Sequence, residues 1–268
     1  MDTAVVLSTI VVTRDNPADL QLTLVSIATQ QPDLPVQVIV VDSSADPIPT
    51  DELQALLGDR VQFQHLQDRP ARGVYPAMNL GLQASSGQIV HFLNAGDSWF
   101  DPAAQAAALQ AWQAAPTTPR ALVGQALICP LPPCRTKPWL VPDPAVHSFQ
   151  RWLRHYVPNH QSLLVDGDWA RCHPLATDAP HSADRDWMRQ ALADPTRVVY
   201  LPRPLVHFQL GGLSSRLPDW PTLRLRLREP SRSGVQKLAE VVKFLLRPLE
   251  AHYPALMALR SRCIGWLV

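Results

Sequence analysis

The sequence predicts an α/β protein, with a mostly parallel sheet flanked by helices and a helical tail at the C-terminal end. Strand-like and helix-like segments alternate over the first 115 residues, as in consecutive βαβ units. The strand-like segments are continuous apolar runs, which is typical of parallel strands that are covered on both faces. Hydrophobic residues make up 46% of the chain, which is enough to bury a sizeable core.

The alternation defines the elements in order. Strands are predicted at residues 4–12, 36–41, 61–66 and 88–93, and helices at about 20–29, 50–57, 75–84 and 101–115. Asn16 and Pro17 supply cap and first-turn chemistry for the first of these helices. The second half contains more proline and is less regular, with strands at 121–128 and 198–201, a helix at 184–192 and a turn at residues 211–212.

Composition excludes several classes of protein. The formal net charge of +1 argues against a general nucleic-acid binder. The four cysteines form no Cys-x-x-Cys pair, which favours a reduced, cytoplasmic protein. The N-terminal apolar run has no basic segment before it and is predicted as a strand, not a signal peptide. No run of about 18 apolar residues is present, so no membrane-spanning helix is expected.

Charge is distributed unevenly along the chain. Residues 222–268 contain nine basic and three acidic residues, a net charge of +6, whereas residues 1–221 have a net charge of −5. We therefore predict a main domain at 1–221 and a basic amphipathic helical extension at 222–268. That extension suits the surface of an anionic membrane, and the alternative is a helix that packs on the domain with a solvated basic face.

Polar clusters follow three of the predicted strands, at residues 14–16, 42–44 and 94–97. Ligands of such sheets bind beyond the carboxyl ends of the strands, so a site is expected there. Asp97 at the end of a strand is a candidate ligand for a divalent cation that bridges a diphosphate. The alternative role of Asp97 is a helix N-cap, for which Asp101 competes.

Several motifs occur in an order that resembles a known family. They are TIVVTRDN…TLVSIATQ, VQVIVVDSSAD, RGVYPAMNLGLQASSGQIVHFLNAGD, NHQSLLV, SADRDWMRQAL and YLPRPLVHFQLGGLSS. Together they resemble the family 2 glycosyltransferases of the GT-A fold, and within it the bacterial polysaccharide-biosynthesis type. The resemblance spans residues 9–215 and implies a Rossmann-like GT-A domain that takes a sugar from a nucleoside-diphosphate donor, UDP- or GDP-linked, and passes it to a hydroxyl of a glycan or lipid-linked acceptor.

The resemblance also implies residues of the donor site. Asp42 matches the position that recognises the base, although an Asx cap of the following turn is the alternative. Asp97 is the one carboxylate left in the metal motif, which would hold Mn²⁺ or Mg²⁺, and His207 is a weaker candidate for the same metal. The remaining candidates for nucleotide or donor binding are Thr13, Arg14, Arg72, Gly73, Asn79, Asn94 and Gly96.

The resemblance further implies the reacting and acceptor groups. Asp184 matches the general base of inverting members, which takes the proton of the acceptor hydroxyl. Asp186 is its rival, and a surface ion pair with Arg185 or Arg189 is the alternative for either one. His160 and Gln161 match the acceptor side, although an isolated histidine is often structural.

Departures from the family pattern leave a second function open. Ala71 replaces an acidic residue, and Pro76 replaces the aspartate of G-[IV]-Y-D-A-M-N. These changes motivate the alternative of a catalytically weak or inactive relative that binds sugar nucleotides or acts as a scaffold in polysaccharide assembly. A dinucleotide-binding enzyme is disfavoured, because the first βα turn lacks G-x-G-x-x-G.

Overall fold

A computed structural model describes residues 5–31, 35–130, 135–146, 148–178, 183–210, 220–228, 234–245 and 254–259. The predicted turn at residues 211–212 lies outside these ranges. The strands are Leu7–Thr13 (β1), Val36–Asp42 (β2), Val61–Gln67 (β3), Ile89–Phe92 (β4), Ser98–Trp99 (β5), Ala121–Cys129 (β6), Trp139–Val141 (β7), Leu163–Asp166 (β8) and Val198–Gln209 (β9). The helices are Pro17–Ala28 (α1), Thr50–Leu57 (α2), Val74–Ala84 (α3), Ala104–Gln113 (α4), Phe149–His155 (α5), Gly167–Cys172 (α6), Ala183–Ala191 (α7), Trp220–Arg228 (α8) and Gly234–Leu245 (α9).

The described strands form one sheet in the order β3-β2-β1-β4-β8-β6-β9-β5, with β7 paired to β6. Strands β1 to β4 pair in parallel, as the βαβ pattern predicts. The second half of the chain adds antiparallel pairs, because β8 lies between β4 and β6 and runs against both. The α/β class is confirmed, and the second half of the sheet is mixed, because β6 and β9 pair in parallel beside the antiparallel pairs.

Alternation of side chains along the central strands gives the sheet two buried faces. In β1, Leu7 and Val11 pack with α1, α2 and α4, whereas Ile10 and Val12 pack with α3, α6 and α7. Successive side chains of a strand point to opposite faces, so a continuous apolar strand needs helices on both sides. The helices on both faces of the sheet explain why β1 and β2 are buried along their whole length.

The boundaries of the second half differ most from prediction. Strand β9 continues to Gln209 and does not end at residue 201, because it pairs with β6 past an irregularity at Gln125. Sequence reasoning missed the short elements β5, β7, β8, α5 and α6. They have two to seven residues each, which is too short for a periodic pattern to emerge.

The predicted C-terminal extension contains α8, α9 and a helical segment at residues 254–259. Arg226 of α8 and Glu240 of α9 form a buried ion pair with a separation of 2.7 Å. Ala258 is buried in the same apolar core as α1, α2 and α4, so this part of the extension packs on the domain. Among the described helices, none has the length and apolar character needed to cross a bilayer.

Candidate active site

The loops that follow β1, β2 and β4 meet at one edge of the sheet. The backbone N–H of Ser43 donates to the carbonyl of Thr13 at 3.0 Å, and that of Ala95 donates to Val12 at 3.2 Å. Three polar clusters that are far apart in the sequence therefore line one edge, where ligands of such sheets bind.

Asp42 closes β2 and is almost fully buried. Its Oδ1 accepts a hydrogen bond from the backbone N–H of Ser44 at 2.8 Å, which is the Asx-type cap named above as the alternative. Its Oδ2 lies 3.7 Å from Nε2 of His65, on the neighbouring strand β3. The carboxylate is thus held in one orientation by the chain itself. Thr13 lies opposite it in the strand register and is also buried.

The loop after β1 turns at Asp15, which bonds to the loop after β2. Asp15 has a φ of +52°, in the left-handed region that non-glycine residues seldom adopt. Its backbone N–H donates to Ser44 Oγ at 2.7 Å, and its Oδ1 accepts from the N–H of Ala45 at 2.9 Å. These bonds join the β1 and β2 loops. The side chain of Arg14 is exposed beside them, 3.4 Å from Asp15.

Arg72 and Gly73 lie at the start of α3. Arg72 donates from both Nε and Nη2 to Oδ1 of Asp68, at 2.9 and 2.8 Å, and Asp68 is buried. More than half of the Arg72 side chain remains exposed, so a buried carboxylate orients a cation that still faces solvent. Gly73 has a φ of +116°, which a side chain would strain, and it caps the helix N-terminus.

The loop at residues 94–97 is tightly built. Gly96 has a φ of +99°, and a Cβ added there would lie 3.2 Å from Oδ2 of Asp19. The N–H of Gly96 donates to Thr23 Oγ1 at 3.0 Å, and Thr23 Oγ1 donates to the carbonyl of Asp97 at 2.7 Å. The hydroxyl of Thr23 therefore anchors this loop to helix α1.

Asp97 is buried, and both of its carboxylate oxygens accept hydrogen bonds. Oδ2 accepts from Nε2 of Gln161 at 2.8 Å, and Oδ1 accepts from the backbone N–H of Gln209 at 3.0 Å. Burial raises the pKa of Asp97 to about 7, against the opposing effect of these hydrogen bonds. In this arrangement the carboxylate ties the 94–97 loop to Gln161 and β9.

Asp97 is the carboxylate that would hold Mn²⁺ or Mg²⁺. Such an ion is commonly bound by one or two carboxylates together with substrate phosphates and waters, and each oxygen of Asp97 already accepts one hydrogen bond. Within the described ranges, no group of three or more histidine, cysteine, aspartate or glutamate side chains is arranged to hold a metal. His207 stacks on Phe100, with ring centroids 4.8 Å apart, and its Nδ1 lies 3.5 Å from Ser98 Oγ.

Asn79 is also engaged by the chain. Its Nδ2 donates to the carbonyl of Leu175 and its Oδ1 accepts from the N–H of Leu175, both at 2.8 Å. The side-chain amide therefore makes the two backbone hydrogen bonds that a neighbouring strand would make, and it links α3 to the segment after α6.

Asp184, in the first turn of α7, lies in a cluster with three other polar side chains. Its Oδ1 accepts a hydrogen bond from Tyr75 Oη at 2.9 Å, and its Oδ2 lies 3.5 Å from Nδ1 of His160. On the other side of the imidazole, Asn94 Nδ2 lies 3.2 Å from His160 Nε2. Asn94 and Asp184 therefore contact opposite ring nitrogens of His160, and the imidazole lies between them.

The electrostatics of this cluster favour an ionised carboxylate. Burial acts to raise the pKa of Asp184, but hydrogen bonds from His160 and Tyr75 and the charge of His160 outweigh it, so the pKa is lower than usual. Asp186, two residues further on, is half exposed and pairs with Arg189 at 3.2 Å. The two rival carboxylates therefore have different surroundings, and Asp186 has the surface ion pair described above as the alternative.

Gln161 and His91 connect the cluster to the sheet. His91 is fully buried, and its Nε2 bonds to the carbonyl of Gln161 at 2.7 Å. Burial lowers the pKa of His91 to about 4, so the ring is neutral and donates this bond. The Oε1 of Gln161 is buried and has no hydrogen-bond partner within the described part of the chain.

Sequence reasoning named most of the residues that meet here but missed Tyr75 and Asp68. Tyr75 lies inside the RGVYPAMN motif, so a search of that motif for hydroxyl donors would have found it. Asp68 is four residues before Arg72, a spacing that suits an ion pair, but it lies outside the family motifs.

Comparisons with known proteins agree with this architecture. Residues 8–118 match the sequence model of the family described as Glycosyl transferase family 2. No curated protein sequence matches the chain.

Solved structures resemble the chain in fold at low identity. The crystal structure of S. aureus TarS has 16% identity and a TM-score of 0.58, over 90% of this chain and 43% of that one. The complex of S. aureus TarS 1-349 with UDP-GlcNAc has 15% identity and a TM-score of 0.59, over 93% of this chain and 73% of that one. The mannosyltransferase PcManGT from Pyrobaculum calidifontis, in complex with GDP-Man and Mn²⁺, has 18% identity and a TM-score of 0.57, over 98% of this chain and 74% of that one.

The chain spans less than half of the full TarS structure, and these likenesses concern the fold. Together with the family match over the first four predicted strand and helix pairs, they agree with the motifs and the sheet topology. Residues 8–118 thus match the glycosyl transferase family 2 model, and the chain shares the GT-A fold of these solved structures.

Proposed function

We propose that the protein is an inverting glycosyltransferase that moves a sugar from a UDP- or GDP-sugar to a hydroxyl group of a glycan or lipid-linked acceptor. The observation that carries the proposal is the carboxylate of Asp184, held by Tyr75 and His160 beside the end of β4. A general base for such a reaction has to be ionised and fixed in orientation, and this group meets both conditions.

The donor site of this proposal lies at the carboxyl ends of β1 and β2. Asp42 is oriented by Ser44 to accept from an N–H edge of the base, with Thr13 beside it. Arg72, oriented by Asp68 and open to solvent, would pair with an oxygen of the diphosphate, and exposed Arg14 lies on the same edge. Related structures support this class of donor, since one contains UDP-GlcNAc and another GDP-Man.

The reaction follows from this placement. Asp184 takes the proton of the acceptor hydroxyl as its oxygen attacks the anomeric carbon of the donor sugar. The bond between that carbon and the diphosphate oxygen breaks in the same step, and the nucleoside diphosphate leaves with both electrons of the bond. Arg72 would stabilise the charge that develops on the leaving diphosphate. His160 and Gln161 would line the acceptor side.

These steps are carried by the chain's own residues, and Asp97 would hold Mn²⁺ or Mg²⁺, which would offset charge on the leaving diphosphate. Metal dependence, expected from the resemblance, is tested separately by adding Mn²⁺ or Mg²⁺. We further propose a cytoplasmic location and a role in polysaccharide biosynthesis, which the resemblance to the bacterial polysaccharide type supports.

The test is donor turnover. UDP-glucose, UDP-GlcNAc and GDP-mannose are incubated with the protein, with and without Mn²⁺, and the release of nucleoside diphosphate is measured. We expect turnover of one nucleotide class, inversion of the anomeric configuration in the released or transferred sugar by proton NMR, and loss of turnover in Asp184→Asn. Retention of configuration would contradict the single displacement. Binding of a donor without turnover under any condition would favour the scaffold alternative.

A further inference from the structure

Helix α9 carries a row of exposed apolar side chains. Val235, Leu238, Val242 and Leu245 follow at intervals of three, four and three residues, which places them on one face of the helix. Their exposed fractions lie between 48% and 80%. We call these four residues the apolar face. A continuous exposed row of this kind marks an interaction surface more often than isolated exposed leucines do.

Helix α8 lies alongside α9 and extends this surface. Trp220, at the start of α8, contacts Phe244 near the end of α9 with ring centroids 5.8 Å apart, and Arg226 pairs with Glu240 in the middle of α9. The two contacts run in opposite order, so the helices are antiparallel. Trp220 and Leu225 of α8 are both largely exposed, and tryptophan is favoured at the boundary between water and lipid.

The charges around the apolar face are positive. Arg224 and Arg228 are exposed on α8, and Lys237 and Lys243 lie on α9. Glu240 is the one acidic residue in the described α8 and α9, and it is buried and paired with both Arg226 and Lys243. Glu240 therefore offsets Arg226 and Lys243, and no other acidic residue of the described α8 and α9 offsets Arg224, Arg228 and Lys237.

We propose that the apolar face and its flanking cations bind the surface of a membrane that contains anionic lipids. The apolar side chains would enter the boundary between headgroups and acyl chains, and the cations would pair with lipid phosphates. With 12 residues, α9 is about 18 Å long, so it lies in the interface and does not cross the bilayer of about 30 Å. A second copy of the chain is the less favoured occupant, because two such faces would bring like charges together.

The inference stands on the surface of α8 and α9 and does not depend on the transfer reaction. If the enzyme binds a membrane in this way, lipid-linked acceptors would be close to it. Failure of lipid binding and failure of donor turnover are separate results.

The test uses the full chain with large unilamellar vesicles, sedimented and assayed for bound protein. One set contains phosphatidylcholine alone and the other phosphatidylcholine with phosphatidylglycerol. Leu238→Gln with Leu245→Gln removes half of the apolar face, and Leu22→Gln with Val25→Gln on α1 is the matched control, because Leu22 and Val25 are both 47% exposed. Arg224→Gln with Arg228→Gln tests the charges, and Arg151→Gln with Arg154→Gln on α5 is the control that removes two other exposed arginines.

We expect wild type and both controls to bind the vesicles with phosphatidylglycerol and to be released by high salt. Arg224→Gln with Arg228→Gln should bind these vesicles more weakly than wild type by about fivefold per arginine removed. Leu238→Gln with Leu245→Gln should bind them at least about tenfold more weakly than wild type. The proposal is overturned if wild type does not bind the anionic vesicles, or if the control variants lose binding as much as the test variants do. A concentration-dependent dimer of wild type that Leu238→Gln with Leu245→Gln abolishes, without lipid binding, would assign the face to a second copy and equally overturn it.

Discussion

Nδ1 of His160 lies 3.5 Å from Oδ2 of Asp184, although the two residues come from different elements. Asn94 at the end of β4 contacts the other ring nitrogen of His160, and Tyr75 of α3 donates to the other oxygen of Asp184. The loop after β4 is thus connected to the carboxylate on α7 by side-chain contacts alone. Such a chain holds the proposed base in place before substrate arrives, which lowers the cost of organising the reaction.

Asp184→Asn should lower donor turnover by a factor of about 10² to 10⁴, the range that a general base contributes. Asparagine keeps the size of the side chain but cannot accept the proton. Nucleotide affinity, measured by calorimetric titration, should change little. The control is Asp186→Asn, on the same helix and paired with Arg189, which should retain turnover near the wild-type rate. Equal losses in the two variants would contradict the choice of Asp184.

Asn94→Leu should perturb His160 without touching Asp184 directly. The leucine removes the amide that contacts Nε2, so the ring loses one of the two partners that set its tautomer and orientation. We expect the ¹⁵N shifts of both His160 ring nitrogens to change in histidine-labelled protein. Turnover should fall together with that change, while the KM for donor stays within about threefold. An unchanged His160 spectrum would mean that Asn94 does not set the tautomer.

Gly87→Ala should destabilise the fold. A Cβ at this position would lie 2.5 Å from the backbone nitrogen of Ser8 and 2.8 Å from the carbonyl oxygen of Ile89, so backbone atoms of β1 and β4 have to move. The expected loss is about 1–3 kcal/mol in the free energy of unfolding. Gly234→Ala is the matched control, because no atom lies within 4 Å of its added Cβ. Thermal unfolding of both variants checks the contrast, and equal melting temperatures would refute it.

The ion pair between Arg226 and Glu240 should make the stability of the α8 and α9 pair depend on pH. Burial acts to raise the pKa of Glu240, but hydrogen bonds and charges from Lys243 and Arg226 outweigh it and lower the pKa to about 2. A lowered folded-state pKa means that the stabilisation is complete above the unfolded value of 4.5 and is lost as the pH falls from 4.5 toward 2.

Glu240→Gln removes this titration. The difference in unfolding free energy between wild type and Glu240→Gln should therefore shrink as the pH falls through that window. It is measured by denaturant unfolding at several pH values. A difference that stays constant from pH 6 to pH 3 would show that the pair contributes no pH-dependent stability.

Much of the first half of this fold could be predicted from the sequence, because the spacing of apolar residues distinguishes long buried strands from amphipathic helices. The predicted helix at residues 50–57 and the strand at 36–41 coincide with α2 and β2 almost to the residue. The second half could not be predicted in the same way. Strand β8 has only four residues, and its place between β4 and β6 depends on contacts between distant segments.

The candidate site, like the fold, could be predicted from the sequence only in part. Residues that belong to contiguous motifs, such as Asp42, Arg72 and Asp97, could be named from the sequence. Their surroundings could not, because the partners of Asp97 are Gln161 and Gln209, more than 60 and 110 residues away along the chain. The sequence pattern therefore predicted Asp97 as a metal ligand but could not predict the buried hydrogen bonds around it.

The central claim is that the edge formed by β1 and β2 binds a nucleoside diphosphate. The most direct test is calorimetric titration of UDP and of GDP into wild type and Asp42→Ala, each with and without Mn²⁺. We expect one of the two nucleotides to bind wild type and Asp42→Ala to weaken this binding at least about tenfold, since a recognition contact to the base is lost. The added Mn²⁺ shows whether binding also requires the metal. If neither nucleotide binds wild type under any of these conditions, the proposed donor site is wrong.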